Sequence, residues 1–248
     1  MMSFWRLSRR QFLPLALPVL GAGQDRANTR LRIVCVGGHP DDPESGCGGT
    51  LARYAALGHT VTIIYLTRGE AGIPGKPHAE AAAIRSSECE LSCKILGAKP
   101  VFAGQIDGAT VVDSKAAESL GRLISAEGPD VVFTQWPIDT HLDHQAASTL
   151  TFRAWLSGGR HFELYYYEVN AGSQTMNFHP SDYVDITAVR EKKKAALFAH
   201  KSQDGEGIYR RHHEVMESFR GREAGVTAAE ALVHLARGNR LANLPGLG

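Results

Sequence analysis

A largely apolar run, residues 31–36, stops abruptly against Gly37-Gly38-His39-Pro40-Asp41-Asp42-Pro43-Glu44. Strand formers running into paired glycines and two prolines predict a strand that opens into a stiff loop. The loop carries one imidazole and two adjacent carboxylates, both of them ligand types for first-row metals. Carboxylates crowded in this way are costly without a cation between them. Pro40 and Pro43 fix φ at their own positions, so ligand geometry is set before any metal arrives. Adjacent side chains on extended backbone point in different directions. Asp41 and Asp42 are therefore expected to divide the work: one binds metal while the other faces a bound water.

A metal needs at least a third ligand. The best source is Thr140-His141-Leu142-Asp143-His144, where histidines three apart at the mouth of a helix can share a face. This segment also follows an apolar run, residues 131–134. Two histidine-acid clusters, each just past a strand, form the pattern of a site at the carboxyl edge of a parallel sheet. Further strands are expected over residues 60–66, 100–102, 164–169 and 183–186. Helices are expected from the Gly46-Cys47-Gly48-Gly49-Thr50 segment to Leu57, and over 79–96, 114–127, 144–156, 187–200 and 210–219. A last one should run from the Thr227-Ala228-Ala229-Glu230 capping box to about Arg237. Alternating strands and helices predict right-handed βαβ units. The fold class is thus α/β, a single Rossmann-like, doubly wound domain with a mostly parallel sheet and helices on both faces. In the common order of such sheets, strands one and four are neighbours, which would bring both clusters to one crevice.

The chain has 248 residues, 43% hydrophobic and 21% charged, which is ordinary for a globular protein. No run of about 20 apolar residues is present, so no transmembrane span is expected. The N-terminus differs in character. Ser8-Arg9-Arg10-Gln11-Phe12-Leu13 precedes an apolar stretch to Leu20 and then Gly21-Ala22-Gly23. Basic region, short apolar stretch and small residues together resemble a twin-arginine export signal over residues 1–23, with a periplasmic or extracellular destination. The domain is then expected over 28–240, with 241–248 a tail. Formal charge is +1 with the arginines of that leader included. A nearly neutral chain without a basic stripe argues against nucleic acid as partner. Lys192-Lys193-Lys194 is expected on the solvated face of a helix. The glycines at 46–49 lack the lysine of a phosphate loop and the spacing of a dinucleotide fingerprint, so no nucleotide is expected there. Cys35 should be a buried, inert thiol. Cys89 and Cys93, one helical turn apart, lack the second pair that a zinc site needs.

His39-Pro40-Asp41-Asp42 after a strand, with His141-Leu142-Asp143-His144 later, resembles the zinc-dependent N-acetylglucosaminyl deacetylases of the PIG-L and LmbE-like family. Leu66-Thr67-Arg68-Gly69-Glu70-Ala71-Gly72, the helix with Arg85 and Glu88 that ends in Leu96-Gly97, and His200-Lys201-Ser202-Gln203 are also similar. The likeness spans residues 33–203. The chain departs from it at Pro43, where many members carry an acid, and at Gly38, where alanine is usual. The resemblance implies His39, Asp42 and His144 as metal ligands with one position open to water, the arrangement of catalytic zinc; Fe2+ or Co2+ suits the same donors. It implies Asp41 as general base, His141 as oxyanion stabiliser or acid, and Asp143 as the carboxylate that orients a histidine. It further implies that Arg85 and Asp107 contact sugar hydroxyls, with Glu70 and Gln203 shaping the pocket.

Without the family, these last residues have plainer readings. Arg85 would pair with Glu88 one turn on, Asp107 would serve a turn, Glu70 would be a solvated acid, and His200 would either cap a helix C-terminus or belong to the pocket. His59, His78, His161, His179, His212, His213 and His234 lack an acid-rich context and are expected to be structural or at the surface. The implied reaction is hydrolysis of an N-acetyl group from a GlcNAc-containing sugar or glycoconjugate. One rival is a zinc amidase cutting a larger amide. The other is a non-catalytic sugar- or metal-binding relative, for which Asp41 would be a carboxylate without a use. In each case the partner is a small molecule or glycan.

Overall fold

Strand β1 (Arg32–Gly37) runs between β2 (Thr60–Tyr65) and β4 (Val131–Gln135) and pairs in parallel with both. The computed structural model describes residues 30–235; the expected export signal and the tail at 241–248 lie outside the described residues. β3 (Lys99–Phe102) extends the sheet beyond β2, and β5 (Glu163–Tyr167) beyond β4, again in parallel. The crossovers carry α1 (Asp42–Ala56), α2 (His78–Leu96), α3 (Ser114–Glu127) and α4 (Leu142–Ser157). The rest of the described chain adds β6 (Asp182–Asp185), α5 (Arg190–Phe198), α6 (Gly205–Ile208), α7 (Glu214–Ala224) and β7 (Ala229–His234). The sheet has seven strands in the order β3-β2-β1-β4-β5-β7-β6, with β7 antiparallel to both its neighbours.

Alternation along the strands sends side chains to two separate cores. Ile33, Cys35, Ile63 and Phe133 pack with α1, α2 and α5 on one face. Val34, Val36, Ile64 and Val132 pack with α3 and α4 on the other. A strand covered on both faces is apolar throughout, which is why the central strands stand out in the sequence. The expected neighbourhood of strands one and four is present. The direction of winding reverses between them, and their carboxyl ends form the crevice of the sheet.

Several expected elements differ. The later part of α1 matches the helix expected to open with the segment 46–50, but the helix begins four residues before that segment, at Asp42. It bends at Cys47 (φ −144°, ψ 20°), so the segment after the bend has its own N-terminus. Residues 187–200 divide into a 3-10 turn, Thr187–Val189, and α5. A π-helical turn, Tyr209–His213, precedes α7 where one helix over 210–219 was expected.

The largest difference is at the capping box. Residues 229–234 form β7, inserted between β5 and β6, where a helix was expected. Alanine, glutamate and leucine are good helix formers, but propensity is small beside tertiary context, and a slot between two strands overrides it. Glu230 does cap a helix, but not its own. Its carboxylate accepts hydrogen bonds from Gly49 N (2.8 Å), Thr50 N (2.7 Å) and Thr50 Oγ1 (2.7 Å), at the N-terminus created by the bend in α1. Lys193 completes the arrangement, with Nζ 2.8 Å from Glu230 and 3.1 Å from Glu217. Lys193 is thus 2% exposed, in contrast to the solvated position expected for the lysine run. Its stem lies in the core while its charge is neutralised by two buried carboxylates.

Replacing Glu230 by alanine leaves two amides uncapped and one buried ammonium half-neutralised. Glu230→Ala is expected to lower the free energy of unfolding by about 3–5 kcal/mol, measured by urea denaturation followed by circular dichroism. Glu230→Gln retains an acceptor and should lose less; a loss under about 1 kcal/mol for the alanine variant would show that the cap is dispensable.

Candidate metal centre and its cleft

The carboxyl ends of β1 and β4 deliver both histidine-acid clusters to the crevice. His39 and Asp42 flank the turn from β1 into α1, and His144 lies in the first turn of α4. Asp42 Oδ2 is 3.1 Å from His39 Nδ1 and 3.2 Å from His144 Nε2. A tetrahedral ion with bonds of about 2.0–2.1 Å holds neighbouring donors about 3.3 Å apart. Both contacts of Asp42 Oδ2 therefore have the spacing of neighbouring donors around one ion. His141 brings a further ring nitrogen within 4.8 Å of those of His39 and His144.

The other nitrogen of each imidazole meets a carboxylate. His39 Nε2 lies 3.0 Å from Asp143 Oδ2 and 3.1 Å from Asp107 Oδ1, and His144 Nδ1 lies 3.1 Å from Asp139 Oδ1. His39, Asp107 and Asp143 are also close enough to hold an ion. Both acids, however, are tied down as acceptors: Asp143 from Thr110 Oγ1 (2.6 Å) and Gly108 N (2.8 Å), Asp107 from Ala71 N (3.0 Å). They hold His39 through Nε2 and leave its Nδ1 facing Asp42, an arrangement that fixes the tautomer.

The electrostatics agree. Burial disfavours charge on His144, but Asp42 and Asp139 outweigh it and push its pKa up to about 9. His39 is likewise held well above its usual value, against burial, chiefly by Asp42. Burial would raise Asp42, yet the imidazoles of His144 and His39 hold it well below the carboxylate range. The crevice contains more carboxylate than cation, which is why its imidazoles are held toward the protonated form.

Asp41 stands apart from this cluster. It forms the N-cap of α1 with φ 106° and ψ −29°, a region that costs a residue with a Cβ about 1–3 kcal/mol. Arg85 Nη2 donates to Pro40 O (2.6 Å) and lies 3.4 Å from Asp41 Oδ2. Burial raises Asp41, Arg85 opposes it, and the neighbouring Asp42 adds to it; the resulting pKa is about 6. His141 Nδ1 accepts from Asp143 N (3.2 Å), which assigns its proton to Nε2. Burial and the neighbouring imidazoles of His39 and His144 lower its pKa, so the ring is neutral at pH 7.

These groups line an open cleft of about 520 Å³, shared with Arg85, Asp107, Gln203 and residues from the later half of the chain such as Asn170, Gln174 and His212. Arg85 does not form the plain pair with Glu88. It passes between Gly69 and Gly72, where a Cβ on either would overlap the guanidinium, while Glu88 accepts from Ser202 N (2.8 Å) and Oγ (2.6 Å). Gln203 Nε2 donates to Gly72 O (3.1 Å) at the cleft wall. Asp107 reaches His39, which makes it a backing carboxylate as well as a wall residue. Glu70 departs from its expected place: it is 8% exposed, accepts from Arg68 N (3.0 Å), and does not line the cleft. It shapes its own loop from within.

Three residues were not anticipated in their roles. Asp139 backs His144, and its only signal was an acid two positions before His141 in the loop after β4. His213, expected to be structural or at the surface, is buried in the cleft wall, where burial and Lys193 push its pKa down to about 3. His200 caps no helix with its ring; Nε2 meets Glu44 Oε1 at 3.1 Å behind Asp41.

Residues 34–155 match the PIG-L family, described as GlcNAc-PI de-N-acetylase. A diacetylchitobiose deacetylase from Thermococcus kodakarensis is 29% identical over 192 residues, covering 72% of each chain. A 1D-myo-inositol 2-acetamido-2-deoxy-alpha-D-glucopyranoside deacetylase from Mycobacteroides abscessus is 28% identical, over 71% of this chain and 82% of that one. Among solved structures, the conserved protein TT1542 from Thermus thermophilus superposes with a TM-score of 0.72 at 31% identity, over 85% of this chain and 97% of that one. With two histidine-acid clusters at the reversal point of its sheet, and with relatives matched over most of their length, this chain belongs to the PIG-L, LmbE-like family.

Proposed function

We propose that this chain is a metal-dependent N-deacetylase that hydrolyses the N-acetyl group of a GlcNAc-containing sugar, with zinc as the ion. The observation that carries the reading is one carboxylate, Asp42, spaced to share an ion with two imidazoles while a second, Asp41, stays outside the ligand set beside an open cleft. The sugar substrate is supported by the names of the two deacetylase relatives, both of which specify acetylated amino sugars. His39, Asp42 and His144 would hold the ion. Two nitrogens and one carboxylate suit zinc, and iron(II) or cobalt(II) fits the same donors. When bound, the ion supplies a Lewis acid that acidifies water and polarises an amide carbonyl.

The residues of the chain do the rest. Asp41 takes a proton as the water oxygen attacks the acetyl carbonyl carbon. His141, neutral with its proton on Nε2, donates a hydrogen bond to the oxygen as negative charge develops there. Asp41 then returns its proton to the sugar nitrogen as the C–N bond breaks, giving acetate and a free amine. Asp143 and Asp139 keep His39 and His144 in the ligating tautomers.

Asp41→Asn should retain the metal and lose acetate release by about 10²–10⁴-fold; near wild-type turnover would remove Asp41 from the role of base. His144→Ala should lose bound metal by elemental analysis, and full stoichiometric metal in that variant would take His144 out of the ligand set. A base must be ionised, so activity falls as pH drops through the Asp41 pKa. That value is about 6 without the ion, and a nearby cation lowers it. The acidic limb of kcat/KM against pH should accordingly lie at or below about 6; a limb well above that identifies a different group.

A further inference from the structure

One peptide unit in the site is gripped at both ends. It joins Pro40 to Asp41. Arg85 Nη2 donates to its carbonyl oxygen (2.6 Å), and its N–H donates to Glu44 Oε2 (3.2 Å). The orientation of this unit sets where the Asp41 side chain leaves the backbone, at φ 106°.

Glu44 is fully buried, and its other oxygen accepts from Tyr65 Oη (2.8 Å) and Ser92 Oγ (3.0 Å) and lies 3.1 Å from His200 Nε2. His200 comes from 156 residues further along and is itself 0% exposed. Its Nδ1 has no hydrogen-bond partner among the described residues. An imidazole buried for one hydrogen bond, with an orphaned nitrogen, is a poor way to stabilise a core. What it provides is a grip on the carboxylate that grips the Asp41 amide. Neither residue lines the cleft, so neither reaches substrate.

We propose that Glu44, held by His200, is a positioning residue that clamps the Pro40–Asp41 peptide and aims the Asp41 carboxylate. The proposal rests on Asp41 being the base. Misplacing a reacting group by about an ångström costs roughly 100-fold in rate, so loosening this clamp should reduce kcat and spare binding.

The test compares wild type with His200→Ala, His200→Gln and Glu44→Gln, and places His200→Ala in an Asp41→Asn background. His200→Ala should lower kcat for acetate release about 10–100-fold, with KM and bound zinc unchanged. His200→Gln keeps an N–H donor and should recover most of the loss. In the Asp41→Asn background, His200→Ala should add nothing, because both changes act through one group. Independently of turnover, the Asp41 amide of the metal-free protein should exchange with solvent about tenfold faster in His200→Ala and in Glu44→Gln, by NMR. The rest of α1 should be unaffected.

Wild-type kcat in His200→Ala, a full second loss in the Asp41→Asn background, or unchanged exchange at Asp41 would each overturn the clamp. If His200→Ala does not fold, Glu44→Gln supplies the same exchange measurement. Should Asp41→Asn turn over like wild type, the base assignment fails, and the exchange rates still decide whether the peptide is clamped.

Discussion

The Asp42 carboxylate, standing between the imidazoles of His39 and His144, is the contact on which the rest of the site depends. To place it there, β1 and β4 must be adjacent, and their pairing is secured at its end by Gly38 N donating to Gln135 Oε1 (2.8 Å). Gly38 lies against the same cluster: a Cβ there would come within 3.1 Å of the His144 ring. Helix α1 has to begin at Asp42 itself, so that one aspartate enters the helix and the other remains on the turn. The topology of the sheet, the start of a helix and a bare stretch of backbone thus converge on one oxygen atom.

Charge is arranged around that atom in two layers. Asp42 stands between the two imidazoles, and Asp143, Asp107 and Asp139 stand behind them. Thr110, Gly108, Ala71 and Thr175 tie down the outer acids by donating hydrogen bonds to them. These carboxylates are therefore committed to holding histidines. Asp41 is free of that network because its backbone turns the other way, and Arg85 offsets part of the repulsion from Asp42.

Much of the fold was legible in the residues. Strands covered on both faces are uniformly apolar, and α3 is bounded by Asp113 and Gly128, so its limits were readable as written. The two histidine-acid clusters could be placed at one sheet edge because each follows such a strand. What could not be read was set by partners distant in sequence. Residues 229–234 are helix-like in composition and form a strand because β5 and β6 present a slot for them. Lys193 looks like its neighbours Lys192 and Lys194; only the fold reveals that Glu217 and Glu230 wait for it in the core. Glu70 and Asp107 stand in similar Gly-rich loops, and nothing local told which would turn inward to its own loop and which toward His39. His213 and Asp139 carried too little pattern around them to be distinguished from ordinary loop and helix residues.

The cap that Glu230 places on α1 spans 181 residues. A chain growing on the ribosome can assemble its parallel strands early, since each pairs with partners already made. The segment of α1 beyond Cys47 nevertheless keeps two bare amides until almost the last residue of the sheet has emerged. The helix that carries Asp42 is thereby completed only once β7, the last of the described strands, is in place, and a product cut short before β7 would retain the sheet's older half with that helix unfinished.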